Sequence, residues 1–215
     1  MQTIIHHSLE HTFYSRDIPV LKYTIEFPTF LSTCSQTAAQ TANAHYASVA
    51  KEKEQYCRTV LYPQAAEDAR YIEDNIPPFH TYEFSIAYTV PLNYGCITSL
   101  YFDQYTFMGG AHGSTVRTSD TWNFSNGRQM QLGEFFQSDP HYADNIQNYI
   151  EQRITEHLRT EPGAFFEDYA ALIRKTFKEE NYYLTTDGLV LYFQEYDIAP
   201  YAAGRPQFLL PFGPG

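Results

Sequence analysis

Apolar and polar residues alternate most regularly in the middle third of the chain. Between residues 82 and 90 every second position is apolar, a pattern that predicts a half-buried antiparallel strand. Residues 96–107 and 115–124 also have the character of strands, and a glycine-rich turn separates them. The tripeptide Ser125-Asn126-Gly127 predicts a hairpin turn after the last of these strands. We therefore expect an antiparallel meander in this region.

A helical spacing of three or four residues replaces this alternation before the meander. Residues 35–61 predict a long helix, and Pro63 should interrupt it before a shorter helical piece that ends at residues 75–78. The side chains expected on the buried face of the long helix are Ala42, Tyr46, Val49, Tyr56 and Val60.

After the meander, helices and short strands are predicted to alternate. Ser138-Asp139-Pro140 should open one helix, and a second helix is expected over residues 165–177. The turn at residues 185–188 predicts a hairpin, and residues 208–211 predict a closing strand. At the start of the chain, one or two further strands are expected over residues 12–30. The order of strands and helices favours an α+β fold over a doubly wound parallel sheet.

The composition limits the classes of partner. The chain has 215 residues, with 19 Tyr and 16 Phe, and this excess of Tyr suggests half-buried sheet faces or a contact surface. The formal net charge of −11 disfavours nucleic acid and anionic membranes. It favours a cationic partner or a plain solubility role. No apolar run approaches the roughly 20 residues of a membrane helix, so no direct membrane insertion is expected.

The cysteines and the N-terminus bear on the compartment. Cys34, Cys57 and Cys96 are three in number, so at least one is unpaired within the chain. Cys34 and Cys57 should lie too far apart to bridge, and the sequence leaves open whether Cys57 pairs with Cys96 or all three are free. Residues 1–10 lack the pattern of a signal peptide, so we expect the chain as it stands to be either cytoplasmic or trimmed.

Two stretches carry the candidate chemistry. The first is the turn at residues 107–114, where glycines surround His112 and allow positive φ or close approach of a partner. This turn is either a structural corner or a rim for binding, and His112 with Asp103 or Asp120 would form a base and its orienting carboxylate. The second is the segment at 196–204, where Pro200 should hold the flanking tyrosines as contact residues or as a cover for the sheet.

Other familiar sites are missing from the sequence. No phosphate-binding loop, nucleophile elbow or zinc-protease motif is present, so we expect no cofactor and no metal. His6, His7 and His11 lie close together, but solvated histidines explain them as well as a metal site does. The sequence therefore predicts a protein that is not an enzyme.

The two stretches together resemble a known family. Gly-Gly-Ala-His-Gly at 109–113 and Leu-Thr-x-Asp-Gly-Leu-x-x-Tyr-Phe-x-x-Tyr-x-Ile-Ala-Pro-Tyr-Ala-x-Gly at 184–204 are similar to the extracellular region of RsiV-type anti-sigma factors. The same region resembles the non-catalytic part of PdaC-type peptidoglycan deacetylases. The resemblance implies a PdaC-like domain at 1–112 and an RsiV-like domain at 113–215, two small and intimately associated subdomains. The second is expected to resemble a subdomain of the heat-shock 70 ATPase without its nucleotide site.

The resemblance also implies a function and a location. RsiV-type regions are extracytoplasmic sensors that bind lysozyme, a cationic protein. The ligand-binding residues that it implies here are Gly109, Gly110, His112, Ser114, Tyr196 and Tyr201. The chain lacks the sigma-binding and deacetylase parts of those proteins, so neither of their activities transfers. Three hypotheses follow: a binding module for a cationic protein or cell-wall glycan, a hydrolase that uses His112, and an accessory structural domain.

Overall fold

The computed structural model describes residues 1–72, 78–137 and 139–212. Its elements confirm the α+β class: two sheets with mainly antiparallel neighbours, and helices packed against them. Most of the residues expected to end the first helical region, 75–77, and the expected helix-opening Ser138 lie outside the described residues.

The larger sheet has six strands in sequence order. They are β1 (Thr3–Ser15), β2 (Ile18–Leu31), β3 (Tyr82–Tyr94), β4 (Ile97–Phe107), β5 (Ser114–Asn123) and β6 (Arg128–Gln129). The predicted meander of β3 to β6 is confirmed, whereas β2 and β3 pair in parallel through a helical crossover. The expected division between residues 112 and 113 falls between β4 and β5, inside this sheet.

The first hairpin is longer than expected. β1 begins at Thr3 and contains the three histidines that the sequence placed before the first strand. The turn to β2 is made by Arg16 and Asp17, which both adopt positive φ, as tight hairpin turns require. This hairpin lies at one edge of the six-stranded sheet, paired to the rest through β2.

The crossover helices pack on the sheet through small side chains. Helix α1 (Gln36–Tyr56) continues through a π-helical turn (Cys57–Leu61) into α2 (Tyr62–Arg70). Pro63 lies in the first turn of α2 and, contrary to the prediction, does not interrupt the helical path. The buried stripe is Ala38, Ala39, Ala42, Tyr46, Ala50, Cys57 and Leu61. Tyr56 and Val60, predicted to be buried, are exposed, because the closely packed alanines turn the other face of the helix to the sheet.

The second half of the chain forms the smaller unit. Helices α3 (Tyr142–His157) and α4 (Tyr169–Thr176) pack on a three-stranded antiparallel sheet of β7 (Tyr182–Leu184), β8 (Gly188–Tyr192) and β9 (Gln207–Pro211). Ile146, Ile150 and Ile154 of α3 are buried, as their spacing suggests. The predicted helix over 165–177 is shorter, since α4 begins only at Tyr169.

One disulfide links two turns of the larger unit. Cys34 lies just before the N-cap of α1 and bonds to Cys96 in the β3–β4 turn, with a Cα–Cα distance of 5.9 Å. The sequence left open a bridge from Cys57 to Cys96 or none. Cys57 is instead free and buried, because its helix face points into the core between α1 and the sheet.

Candidate functional site

The glycine turn between β4 and β5 carries His112, whose side chain is exposed. Gly109 and Gly110 have φ of +82° and +96°, a region that favours glycine. Gly113 is needed for a different reason: a Cβ there would lie 2.3 Å from the ring of Tyr105. The turn therefore holds the Tyr105 ring on one side of Gly113, and the His112 side chain hydrogen-bonds to the Gly113 carbonyl at 2.9 Å.

The segment at residues 194–206, here called the tail, is fixed by side-chain bonds to the edge of β5. The Gln194 amide both accepts from the Arg117 N–H at 2.9 Å and donates to the Arg117 carbonyl at 2.7 Å. Glu195 accepts from the Thr115 N–H at 3.1 Å. Part of β5 lies beyond the reach of β6, and these bonds satisfy its outer peptide groups in place of a strand. The tail is thus held firmly against the glycine turn.

Three of the predicted site residues meet where the turn and the tail touch. The rings of His112 and Tyr201 stack with centroids 4.0 Å apart and an interplanar angle of 21°. Tyr196 stacks on Tyr201 at 5.8 Å, and the Tyr201 hydroxyl donates to the Gly113 carbonyl at 3.3 Å. We call His112, Tyr201 and Tyr196 the junction stack. Its outer ring, Tyr196, is 53% exposed and sits on a residue with φ of +65°.

The other predicted residues do not join this stack. Gly109 and Gly110 line a separate shallow cavity of about 290 Å³, together with Asp68 of α2 and Tyr82 of β3. Ser114 is exposed and pairs with Thr106 in the β4–β5 ladder. The structure therefore brings together the three aromatic residues of the predicted set. Gly109, Gly110 and Ser114 lie outside this group.

A charged cluster beside the stack was missed by the sequence reasoning. Arg117 of β5 is buried and forms a two-point ion pair with Asp103 of β4, at 2.8 and 2.7 Å. Arg205 from the tail bonds to the same carboxylate at 3.1 Å and approaches Glu195 at 3.6 Å. The Arg117 guanidinium also lies 3.8 Å from the Tyr101 ring centroid. Alternation along β4 puts Tyr101 and Asp103 on one face, but sequence does not reveal their partners.

Electrostatics in this cluster follow from burial and pairing. Burial works against the charged form of Arg117, but its hydrogen bonds and charge interaction with Asp103 prevail and raise its pKa. Breaking the pair would leave a charge stranded inside the protein, which is costly. Asp103 thus joins the larger sheet to the tail through Arg205.

The proposed pairing of His112 with a carboxylate is not formed. Asp103 is engaged by the two arginines, and Asp120 lies on the opposite face of the sheet. There Asp120 accepts hydrogen bonds from Tyr46 at 2.9 Å and from Gln129 at 2.9 Å. Burial raises the pKa of Asp120, and the bond from Tyr46 offsets part of that rise. Within the described residues, no cluster of three or more His, Cys, Asp or Glu side chains could hold a metal ion.

Comparison with known proteins divides the chain into two matched regions. Residues 15–115 match the family model described as deacetylase PdaC, and residues 133–213 match a family of unknown function, DUF3298. The chain joins a PdaC-like region to a DUF3298-like region. His112 lies in the PdaC-like region, whereas Tyr196 and Tyr201 lie in the DUF3298-like region. The junction stack therefore forms where the two regions meet.

Solved structures of the DUF3298 family have the same fold. A member from Bacteroides fragilis NCTC 9343 is similar with a TM-score of 0.72 and 20% identity, over 98% of this chain and 90% of that chain. A DUF3298 family protein from Pseudomonas aeruginosa PAO1 is similar with a TM-score of 0.56 and 16% identity, over 98% of this chain and 91% of that chain. No curated protein matches the chain. Among the described residues, no helix is both long and apolar enough to cross a membrane.

Proposed function

We propose that this protein is a non-catalytic sensor or binding module of the bacterial cell envelope. It binds a cationic protein such as lysozyme, or the glycan of the cell wall, through the junction stack. The proposal includes the kinship with RsiV-type sensors that the two sequence motifs suggest. It assigns the protein neither sigma-factor inhibition nor deacetylation.

The observation that carries the proposal is the convergence of His112, Tyr196 and Tyr201. His112 lies more than 80 positions before the two tyrosines, yet the three rings stack in one layered group on irregular segments. Pro200 is extended, with φ of −61°, and its ring restricts the backbone just before the 3₁₀ turn at Tyr201–Ala203. The position of Tyr201 is therefore well defined. Rigid tyrosines with one exposed face lose little entropy when they bind, which makes them good contact residues.

Two further features support the proposal: one favours a cationic partner, and the other favours a location outside the cytoplasm. The net charge of −11 favours association with a cationic protein through long-range attraction. The Cys34–Cys96 disulfide fits an oxidising compartment, because cytoplasmic thiols are normally kept reduced. An extracytoplasmic location of this kind is where lysozyme and cell-wall glycan are found.

The hydrolase hypothesis has less support. His112 hydrogen-bonds to a backbone carbonyl, and both carboxylates considered as its partner are held by other groups. A general base in a His–carboxylate pair needs the second residue to orient its ring. The accessory-domain hypothesis gives the stack only a structural role. It therefore predicts that loss of a ring lowers stability and that no ligand shifts the melting temperature.

A thermal-shift experiment separates binding from structure. Wild type and Tyr201→Ala are melted alone, with lysozyme, and with soluble peptidoglycan fragments. A binding module gives a ligand-dependent rise in the wild-type melting temperature that the variant loses, while the variant alone melts within a few degrees of wild type. A large drop for the variant alone, with no ligand shift in wild type, would support the accessory role and count against binding.

A further inference from the structure

A long groove between α3 and β9 has no role in the proposed function. Two cavities, of about 900 and 470 Å³, follow α3 and share Tyr149 and Pro211 in their walls. The Tyr149 hydroxyl donates to the Leu209 carbonyl at 3.0 Å and marks the place where they meet. We call the two cavities together the α3–β9 groove. It shares no residue with the junction stack.

One wall of the groove is the free edge of a strand. Among the described strands, β9 pairs only with β8. The hydrogen bonds from the Phe193 N–H to the Pro206 carbonyl and from the Phe212 N–H to the Asp187 carbonyl show which residues of the two strands are hydrogen-bonded pairs. Antiparallel ladders alternate, so the peptide groups of Gln207 and Leu209 point away from β8. No described residue accepts a hydrogen bond from either outward N–H. The edge therefore offers two N–H donors and the Gln207 carbonyl to another extended chain, while the Leu209 carbonyl is already bonded to Tyr149.

The other surfaces of the groove combine an apolar floor with an acidic rim. Ile154, Phe165 and Phe208 lie in the larger cavity and provide depth for an apolar side chain. The charged side chains lining the two cavities are Asp139, Glu156 and Glu161 against Arg153. Arg153 is already bonded to Glu156 at 2.7 Å. Glu161 has 70% of its side chain exposed and lies 3.3 Å from the Nε2 of His157, which also lines the larger cavity. Acidic charge is in excess along this rim.

We propose that an extended, basic segment of a partner protein binds in the α3–β9 groove as a fourth strand of the smaller sheet. Its backbone pairs with the outward N–H and carbonyl of Gln207 and with the outward N–H of Leu209, whose carbonyl already accepts from Tyr149. Alternate side chains point to the apolar floor, and Lys or Arg side chains reach the acidic rim. A second copy of this chain fits less well, because both copies would bring the same excess of carboxylates to the contact.

The test starts from a phage-displayed library of random linear peptides selected on the immobilised full chain. The expected result is enrichment of peptides that alternate apolar residues with Lys or Arg. Their affinity is then measured by fluorescence anisotropy. Hydrogen exchange follows the Gln207 and Leu209 amides, which should exchange fast in the free protein and slow markedly when a peptide is bound.

Matched variants test the strand-addition geometry. Leu209→Pro removes an outward N–H and should be tolerated on an edge strand, whereas Leu209→Ala keeps that N–H. We expect the proline variant to weaken binding at least about tenfold and the alanine variant to weaken it much less. Glu161→Lys changes an exposed side chain and should weaken the binding of basic peptides. It tests the charge preference even where the proline variant fails to fold.

Two outcomes overturn the proposal. One is that no alternating basic peptide is enriched over a selection on uncoated surface. The other is that enriched peptides bind Leu209→Pro and Glu161→Lys as tightly as wild type, with no protection of the two amides. Either result would leave the groove as a packing feature of α3.

Discussion

The disulfide makes the most calculable contribution to stability. The perturbation is the double change Cys34→Ser and Cys96→Ser, which opens a bridge between residues 62 positions apart. The chain-entropy relation for a closed loop of this size gives a loss of about 4 kcal/mol in the free energy of unfolding. For a chain of this length that loss corresponds to a fall of about 8–16 °C in melting temperature.

Urea unfolding followed by circular dichroism measures this loss. Wild type is compared with the double variant, and both are repeated under reducing conditions, where only wild type should become less stable. Cys57→Ala serves as the control, since it removes a buried thiol outside the bridge and should cost about 1 kcal/mol. A loss below about 1 kcal/mol, or equal sensitivity of both proteins to reductant, would refute the pairing and the argument for an oxidising compartment.

Three further predictions concern charge and packing, each measured by urea unfolding. Asp103→Asn should cost about 3 kcal/mol, because it removes the countercharge of buried Arg117; a cost near zero would show that the pair is not buried in solution. Gly188→Ala should cost about 3 kcal/mol, since its Cβ would meet backbone 2.2 Å away, and Gly113→Ala about 1 kcal/mol, since only a movable ring is in the way; the reverse order would contradict this packing. Burial raises the folded pKa of Asp120, so its penalty is absent below the unfolded value of about 4, grows as pH rises from there to the folded value, and stays constant above it. Asp120→Asn should therefore gain stability relative to wild type between about pH 3 and pH 7, and a relative loss over that range would be inconsistent with the raised pKa.

Local patterns in the sequence predicted much of the fold. The strict alternation over residues 82–90 appears as β3, and the Asn-Gly signal at 126–127 appears as the turn into β6. The predicted buried face of α1 was partly wrong, because the prediction favoured large residues over alanines. Ala38, Ala39 and Ala42 let α1 approach the sheet closely, a packing effect that hydrophobicity alone does not show.

Contacts between distant segments were the harder part. The sequence singled out His112 and Tyr201, but nothing in it shows that their rings stack. The Asp103–Arg117 pair and the tail's Arg205 depend on the β4–β5 register and on the docking of the smaller sheet. The Cys34–Cys96 bridge likewise depends on how close α1 starts to the β3–β4 turn. Such contacts are set by tertiary structure, which short-range patterns do not encode.

The central claim is that the junction stack binds a cationic protein, and calorimetric titration with lysozyme tests it most directly. Wild type, Tyr196→Asn and the control Tyr71→Asn are titrated at low and at physiological salt. Asn tolerates the positive φ at residue 196, so the variant removes the ring without added strain, and Tyr71 is an exposed tyrosine on α2's end. The account predicts binding that survives salt, is lost in Tyr196→Asn and is kept in Tyr71→Asn. Weak binding that vanishes with salt in all three proteins would mean only attraction between opposite net charges and would contradict the claim.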